Sequence, residues 1–144
     1  MKKWIVIAFL ATAMTACAGD QITRDVSALP ENAQALLRQH FSDRTIDWIN
    51  IDREFLRKDT YEVRFTDGPE LDFDREGNWR EVSVLHGALP PGLIPLFVSD
   101  YVAKHFPDQL IESLEREKNG FGAELTNDLT LHFNRQGALV RTDD

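Results

Sequence analysis

The stretch that comes closest to a chemical motif is the acidic run Asp72–Gly77, in which Asp72, Asp74 and Glu76 alternate with other residues before a glycine. Alternating carboxylates that precede a glycine open a calcium-binding loop, where their oxygen atoms hold the ion. Such a loop closes on a glutamate, but Ser83 stands there, and the flanking residues are typical of strands. The corresponding positions in the second half of the chain carry no carboxylates. The second part of the run, Asp74–Gly77, is therefore predicted to be a tight turn ending on a left-handed glycine, and Asp72 is predicted to lie in the strand before it.

Residues that could carry out catalysis do not form a recognisable set. The histidines, which show no metal-ligand spacing, are His40, His86, His105 and His132. The serines, which lie in no nucleophile motif such as G-x-S-x-G, are Ser27, Ser42, Ser83, Ser99 and Ser113. The sequence therefore predicts a protein that is not an enzyme and that has no cofactor and no metal site.

The charge of the chain argues against one class of partner. The 144 residues include 24 acidic and 16 basic side chains, so the formal net charge is −8. A surface this acidic repels phosphate backbones, and no nucleic-acid partner is expected. The length fits one domain or two small lobes that share a core, and nine Phe and three Trp are enough to build that core.

Residues 1–17 are predicted to be an export signal that ends in a lipobox. Two lysines precede an apolar run ending at Met14, which is too short for a membrane span. The only cysteine, Cys17, resembles the acylated cysteine of bacterial lipoproteins, and ordinary cleavage after Ala18 is the alternative. The protein is thus expected to be periplasmic or anchored to the outer membrane, with the lipid as its only membrane contact. Membrane fractionation of a Cys17→Ser variant distinguishes the two alternatives.

One unit of sequence occurs twice. Four residues recur at an offset of 60, with Leu71, Phe73, Arg75 and Gly77 matched by Leu131, Phe133, Arg135 and Gly137. Internal repeats indicate that one supersecondary unit is used more than once. Residues 18–27 are predicted to be a tether, residues 28–86 the first unit and residues 87–144 the second.

The residue pattern of each unit predicts one amphipathic helix followed by four antiparallel strands. The helices are expected from Pro30 to Phe41 and over residues 92–106, and Asp67-Gly68 and Asn127-Asp128 are expected at hairpin turns. A helix can cover only one face of a sheet. The expected fold is therefore α+β, with both helices on one face of a sheet of about eight strands and the other face open to solvent.

The open face is the candidate binding site. Strand alternation places on it the side chains of Glu62, Arg64, Asp72, Trp79 and Glu81. Trp48 is a further candidate, although both sides of its strand carry apolar residues and alternation does not decide which side it takes. Exposed tryptophan ringed by charges is a frequent composition of binding hot spots. For Trp79 an alternative remains open, in which the ring folds over a sheet edge and packs. Phe73 and Phe133 are predicted to be equivalent core residues, one in each unit.

A long motif links the chain to a known family. The pattern Y-E-V-x-F-x-D-G-x-E-x-x-F-D-x-x-G-N-W from Tyr61 to Trp79, followed by Leu89-Pro90 and His105-Phe106-Pro107, resembles the PepSY-like family of secreted bacterial proteins. That family is also described as β-lactamase-inhibitor-like, and the resemblance covers residues 26–141. It implies the β-lactamase-inhibitor fold, a tandem repeat with an extended sheet, and a periplasmic or surface-anchored binding protein. It supplies no catalytic residues.

Two functions are compatible with these observations. The first is a non-catalytic module that docks an envelope protein or peptide on its open sheet face, in the manner of an inhibitor or another binder. The alternative is a periplasmic carrier that binds a small ligand or a cation on the acidic face. A closed apolar cavity would favour the carrier, whereas a flat or gently concave sheet would favour a protein partner.

Overall fold

The computed structural model describes residues 19–53 and 60–144. The helices are α1 (Glu31–His40) and α2 (Leu96–His105), each preceded by a short 3-10 turn, at Val26–Ala28 and Pro91–Leu93. The strands are β1 (Gln21–Thr23), β2 (Ile46–Asp52), β3 (Thr60–Phe65), β4 (Glu70–Phe73), β5 (Trp79–Ser83), β6 (Ile111–Glu117), β7 (Gly120–Leu125), β8 (Thr130–Asn134) and β9 (Leu139–Asp143). The predicted export signal and Cys17 lie outside the described residues.

All nine strands form a single antiparallel sheet in chain order, and the predicted α+β class is confirmed. The sheet has one strand more than expected because Gln21–Thr23, inside the segment predicted to be a tether, forms strand β1. This strand pairs with β2 at one edge of the sheet, where Thr23 lies opposite Ile49. None of the helices in the described ranges is long and apolar enough to cross a membrane.

Both helices begin at a proline and contribute to the core. Pro30 and Pro95 are the N-cap residues of α1 and α2. Proline is tolerated at a helix start because the N–H group that it lacks would have no intrahelical partner there. The second helix therefore begins later than predicted. The side chains that the helices bury lie in one hydrophobic cluster with buried side chains of the sheet: Ala33, Leu37, Val98 and Val102 from the helices, and Ile49, Val63, Leu71, Val82, Leu114, Ala123 and Leu131 from the strands.

The second part of the acidic run, Asp74–Gly77, is a turn, as predicted, while Asp72 lies in β4. One carboxylate oxygen of Asp74 accepts hydrogen bonds from the backbone N–H groups of Glu76 at 3.0 Å and Asn78 at 2.9 Å, and Gly77 has a φ of +81°. Asn134 holds the corresponding turn of the second half in the same way, through the N–H groups of Gln136 and Ala138. Because an amide oxygen performs the same task, the carboxylate of Asp74 is explained by the turn.

The hairpin after β3 differs from the expected two-residue turn. Gly68 donates its N–H to the carbonyl of Phe65, and Phe65 donates to that of Pro69, so three residues form the loop. Gly68 has a φ of +112°, and in the second half Asp128, with a φ of +66°, occupies the same place. The residue that tolerates the left-handed conformation there is thus Asp128 rather than Asn127.

Candidate functional site

Four carboxylates form a row across the sheet face opposite the core, which we call the open face. Glu62 lies directly opposite Asp72, Asp72 opposite Glu81, and Glu81 opposite Glu115, on the consecutive strands β3 to β6. We call these residues the acidic row. Directly opposed like charges destabilise a sheet pair, so the row has a cost for folding.

The environment of the row raises carboxyl pKa values. Loss of water around the carboxyl group is the largest cause at Glu62, Asp72 and Glu81. Repulsion adds to it: Asp72 and Glu70 raise the pKa of Glu62, Glu70 raises that of Asp72, and Asp72 and Glu115 raise that of Glu81. The Arg80 guanidinium opposes the rise at Asp72.

These shifts give the row a defined effect on stability. A carboxyl group whose pKa is raised on folding binds its proton more tightly in the folded state than in the unfolded state. The folded state is therefore favoured while these groups are protonated, and this contribution is lost as the pH rises from the ordinary values of 3.8 for Asp and 4.5 for Glu through the raised ones. Above that range the ionised carboxylates of Glu62, Asp72 and Glu81 make the folded state less stable than their protonated forms would.

The neighbouring basic side chains leave most of the row uncompensated. Arg64 lies on the same face, but its guanidinium pairs with Glu70, which is outside the row, at 3.0 Å. Among the described residues no ion pair joins a member of the acidic row to a basic side chain. Within residues 19–53 and 60–144 the row is thus a set of negatively charged hydrogen-bond acceptors that Arg64 and Arg80 influence only at a distance.

The protein surface beside the row forms an open, polar depression. A hollow of about 340 Å³ is lined by the row and by Asn50, Asp52, Thr60 and Arg80. The carboxamide oxygen of Asn50 is buried and receives no hydrogen bond from any residue in the described ranges. A shallower hollow of about 60 Å³ continues along Glu70 and Ser83. These open polar hollows fit a partner that lies on the surface better than a small molecule that must be enclosed.

One end of the row is apolar. On strand β1, Ile22 lies opposite Asn50 and is 72 % exposed, and Asn50 in turn lies opposite Glu62. Trp48 is on the same face, opposite Arg64, and lines a hollow of about 390 Å³ together with Ile22. The acidic row therefore runs into an apolar surface at the β1 edge of the sheet.

Beyond Glu115 the open face carries a cluster of hydrogen-bonded acidic and basic side chains. Gly122 faces Glu115 across the strands and has no side chain, and the side chain of Glu117 reaches over it to His132. A carboxylate oxygen of Glu117 lies 2.5 Å from Nδ1 of His132, and one of Asp143 lies 3.0 Å from Nε2. Arg141 also pairs with Asp143, at 3.0 Å. Glu124, which pairs with Ser113 on the same face, adds a further carboxylate beyond the row, and its charge also raises the pKa of Glu81.

Five residues predicted for the open face lie on it: Trp48, Glu62, Arg64, Asp72 and Glu81. The placement of Trp79 there is wrong. Trp79 is only 7 % exposed, and its ring lies in the core, 6.4 Å from the ring of Phe121. The guanidinium of Arg116 covers it at 4.1 Å, a distance that fits a cation–π contact.

A β-bulge explains the error at Trp79. Asp72 pairs with Glu81, but the next residue, Phe73, pairs with Trp79, so Arg80 is an extra residue in β5. An extra residue reverses the alternation of side chains from that point on. Trp79 therefore shares the side of Phe73 in the core.

The sequence did not indicate two members of the site. Glu115 belongs to the row only because β5 pairs with β6, and Asn50 contributes only because β2 lies beside β3. The alternation within β6, where Ser113, Glu115 and Glu117 alternate with other residues, could have placed Glu115 on a polar face. No signal within a strand reveals which residue of a distant strand it faces.

A second acidic group lies near the hairpin after β7. Oxygen atoms of Glu112, Glu124 and Asp128 come within 4.8 Å of one another, close enough to hold one cation. Nothing besides their charge points to an ion there, and exposed carboxylates commonly gather without one.

The fold and this face define an α+β protein with an exposed acidic sheet surface, and no catalytic family is indicated. The chain belongs to the PepSY-like family, whose description is "Putative beta-lactamase-inhibitor-like, PepSY-like" and whose sequence profile matches residues 59–141. The resemblance predicted from the Tyr61–Trp79 motif is confirmed.

Solved structures of similar proteins come from Bacteroides. A "putative calcium-regulated periplasmic protein" from Bacteroides thetaiotaomicron is 34% identical, with a TM-score of 0.81, and the match covers 87% of this chain and 97% of that one. A "putative periplasmic protein of unknown function" from Bacteroides vulgatus is 30% identical, with a TM-score of 0.82, and the match covers 88% of this chain and 100% of that one. No curated protein matches the chain significantly.

Proposed function

We propose that the protein is a non-catalytic binding module of the bacterial envelope that docks a protein or peptide on the open face of its sheet. The observation that carries the proposal is the acidic row, in which burial and neighbouring carboxylates raise the pKa values of Glu62, Asp72 and Glu81, and in which no ion pair with a basic side chain occurs among the described residues. Because the repulsion within the row destabilises the folded protein, a positively charged partner that pairs with these carboxylates would remove that cost on binding. An inhibitor is one kind of module that would work in this way.

The proposal includes the arrangement that leaves the face open: two units of one helix and four strands, side by side, with both helices on the core side. Bulges at corresponding places support the duplication. The register shifts between Asp72 and Phe73 in the first half and between His132 and Phe133 in the second. Strands β2 and β6, which follow the two helices, also each contain a shift.

The location follows from the family and the relatives. The similar proteins are described as periplasmic, and export of this chain agrees with the signal predicted for residues 1–17. Lipid anchoring through Cys17 remains part of the proposal. An envelope protein or peptide is accordingly the expected class of partner.

Reversing one charge of the row should remove the partner. We expect Glu81→Lys to weaken capture of the envelope partner by at least about tenfold, because charged contacts at an interface contribute to both affinity and orientation. The measurement is quantitative pull-down from envelope extract with the purified protein, repeated at two salt concentrations.

Asp100→Lys is the matched control, because it makes the same change of charge at an exposed position on helix α2. It should capture the partner as the unaltered protein does. If both variants retain the partner equally, or lose it equally, the open face is not the binding site.

Cation binding is a second candidate function, favoured by the description of the Bacteroides thetaiotaomicron relative as calcium-regulated. Carboxylate oxygens are the ligands that calcium prefers, and the acidic row supplies them on neighbouring strands. A cation bound to the row would relieve the repulsion that raises its pKa values.

Calcium and acid should then act on stability through the same groups. The melting temperature should rise as the pH is lowered from neutral through the raised pKa values towards the ordinary values of 3.8 for Asp and 4.5 for Glu, because the folded state binds these protons more tightly. Under this second candidate, calcium should raise it at pH 7.5, and Glu81→Gln should reduce both effects. A melting temperature that calcium leaves unchanged at millimolar concentration, in a protein that still responds to pH, argues for the protein partner alone.

A further inference from the structure

The spacing of the acidic row restricts what can lie on it. The row crosses three strand-to-strand intervals of about 4.8 Å, so its four carboxylates span about 14 Å in a nearly straight line. Carboxylates in such a line favour a partner whose positive charges are also arranged in a line.

An extended peptide has side chains at a matching interval. Alternate residues of a strand project to the same side about 6.7 Å apart, so three alternate side chains span about 13 Å. If the outer two lie over Glu62 and Glu115, the central one falls between Asp72 and Glu81. Three Lys or Arg side chains would thus reach all four carboxylates, and the central cation would lie between Asp72 and Glu81.

The surface beyond Glu62 also fits the spacing of side chains in an extended peptide. The next side chain on the same side of such a peptide falls between Asn50 and Ile22, at the apolar end of the face. Ile22 is 72 % exposed, so an apolar side chain of the peptide would cover it. A short linear polyamine could satisfy the carboxylates but would leave this apolar end uncovered.

We propose that the partner presents an extended segment with Lys or Arg at three alternate positions and an apolar residue at the next alternate position, lying across strands β6 to β1. This inference rests on the proposed function, since it names the chemistry of the partner that the open face docks. The segment lies in the direction of the row, from Glu115 towards Ile22, and its cations supply ion pairs that the row does not make with any described residue.

Synthetic peptides test the spacing separately from the charge. The probes are Lys-Thr-Lys-Thr-Lys-Thr-Leu and its reverse, because the row does not fix the chain direction, with Lys-Lys-Lys-Thr-Thr-Thr-Leu as a control of equal composition and spermidine as a small polyamine. Titration calorimetry with the purified protein at low salt should show at least one alternating peptide binding about tenfold more tightly than the block peptide and spermidine, and weakening as salt increases.

Two double variants locate the binding. Asp72→Asn with Glu81→Gln should weaken the alternating peptide about tenfold, since it removes the two carboxylates under the central cation. Asp100→Asn with Asp108→Asn removes two exposed charges elsewhere and should leave the affinity unchanged. Melting curves confirm that both variants are folded.

Three results would overturn the inference: equal affinity for alternating and block peptides, spermidine binding as tightly as the peptides, or equal binding by the two double variants. If neither alternating peptide binds at millimolar concentration while capture of the envelope partner still depends on Glu81, this inference fails and the proposed function stands. If capture is also independent of Glu81, both fail.

Discussion

Replacing Phe133 by alanine is expected to lower the free energy of unfolding by about 3–5 kcal/mol, the cost of deleting a buried aromatic ring. Phe133 is 1 % exposed, and its ring lies 5.9 Å from that of Phe97 and 5.4 Å from that of Tyr101, both on helix α2. Deleting it would leave a cavity between the sheet and the helix. Since a domain has only about 5–15 kcal/mol of stability, the loss should be visible as a large fall in the urea midpoint.

Phe73→Ala should cost a similar amount, because Phe73 is 0 % exposed at the corresponding position of the first half. The control is Leu96→Ala, an apolar truncation at a side chain that is 78 % exposed, which should change the free energy of unfolding by less than about 0.5 kcal/mol. Urea titrations of the three variants provide the comparison. A Phe133 or Phe73 variant as stable as the Leu96 variant would contradict the strand alternation on which the open face depends.

The elements of the fold could be predicted because the alternation of side chains is strong within each strand. Tyr61, Val63 and Phe65 alternate with Glu62 and Arg64, and one residue type occupies each side throughout. Strand β1 could not be predicted in this way. Its three residues carry no apolar period, and it forms because the edge of β2 offers unpaired backbone groups to the chain that passes beside it.

The site was predictable only as far as each strand could be considered alone. Alternation predicts the side of Glu62, Asp72 and Glu81 correctly, because each has a core neighbour in its own strand with no insertion between them: Val63, Leu71 and Val82. It failed at Trp79, where the extra residue Arg80 reverses the sides and nothing in the residue types marks the insertion. Alternation also could not predict that Glu81 lies opposite Glu115. The two residues are on strands far apart in the sequence, and the register between such strands is set by the packing of the whole sheet.

Gly120 in strand β7 is a second position whose importance the sequence does not reveal, and its substitution is expected to cause a large loss of stability. Gly120→Ala is expected to lower the free energy of unfolding by at least about 4 kcal/mol, at the extreme of point substitutions, or to prevent folding. A Cβ atom at Gly120 would lie 1.7 Å from the backbone oxygen of Phe133 on the neighbouring strand. Backbone cannot yield as a side chain can, so β7 and β8 would have to separate there. The residue at the same offset in the first half is Thr60, so the sequence alone does not reveal the requirement.

Gly122→Ala is the matched control two residues further along the same strand. A Cβ atom there would lie 2.9 Å from a carboxylate oxygen of Glu117, the far end of a flexible side chain that can move away. The movement would loosen the contact between Glu117 and His132, a loss of about 1 kcal/mol for a partly exposed charged hydrogen bond. Denaturant titration should therefore rank Gly120→Ala far below Gly122→Ala. Equal stability of the two variants would mean that β7 and β8 do not approach as closely at Gly120 as the structure places them, and the position of His132 at the end of the acidic row would have to be reconsidered with them.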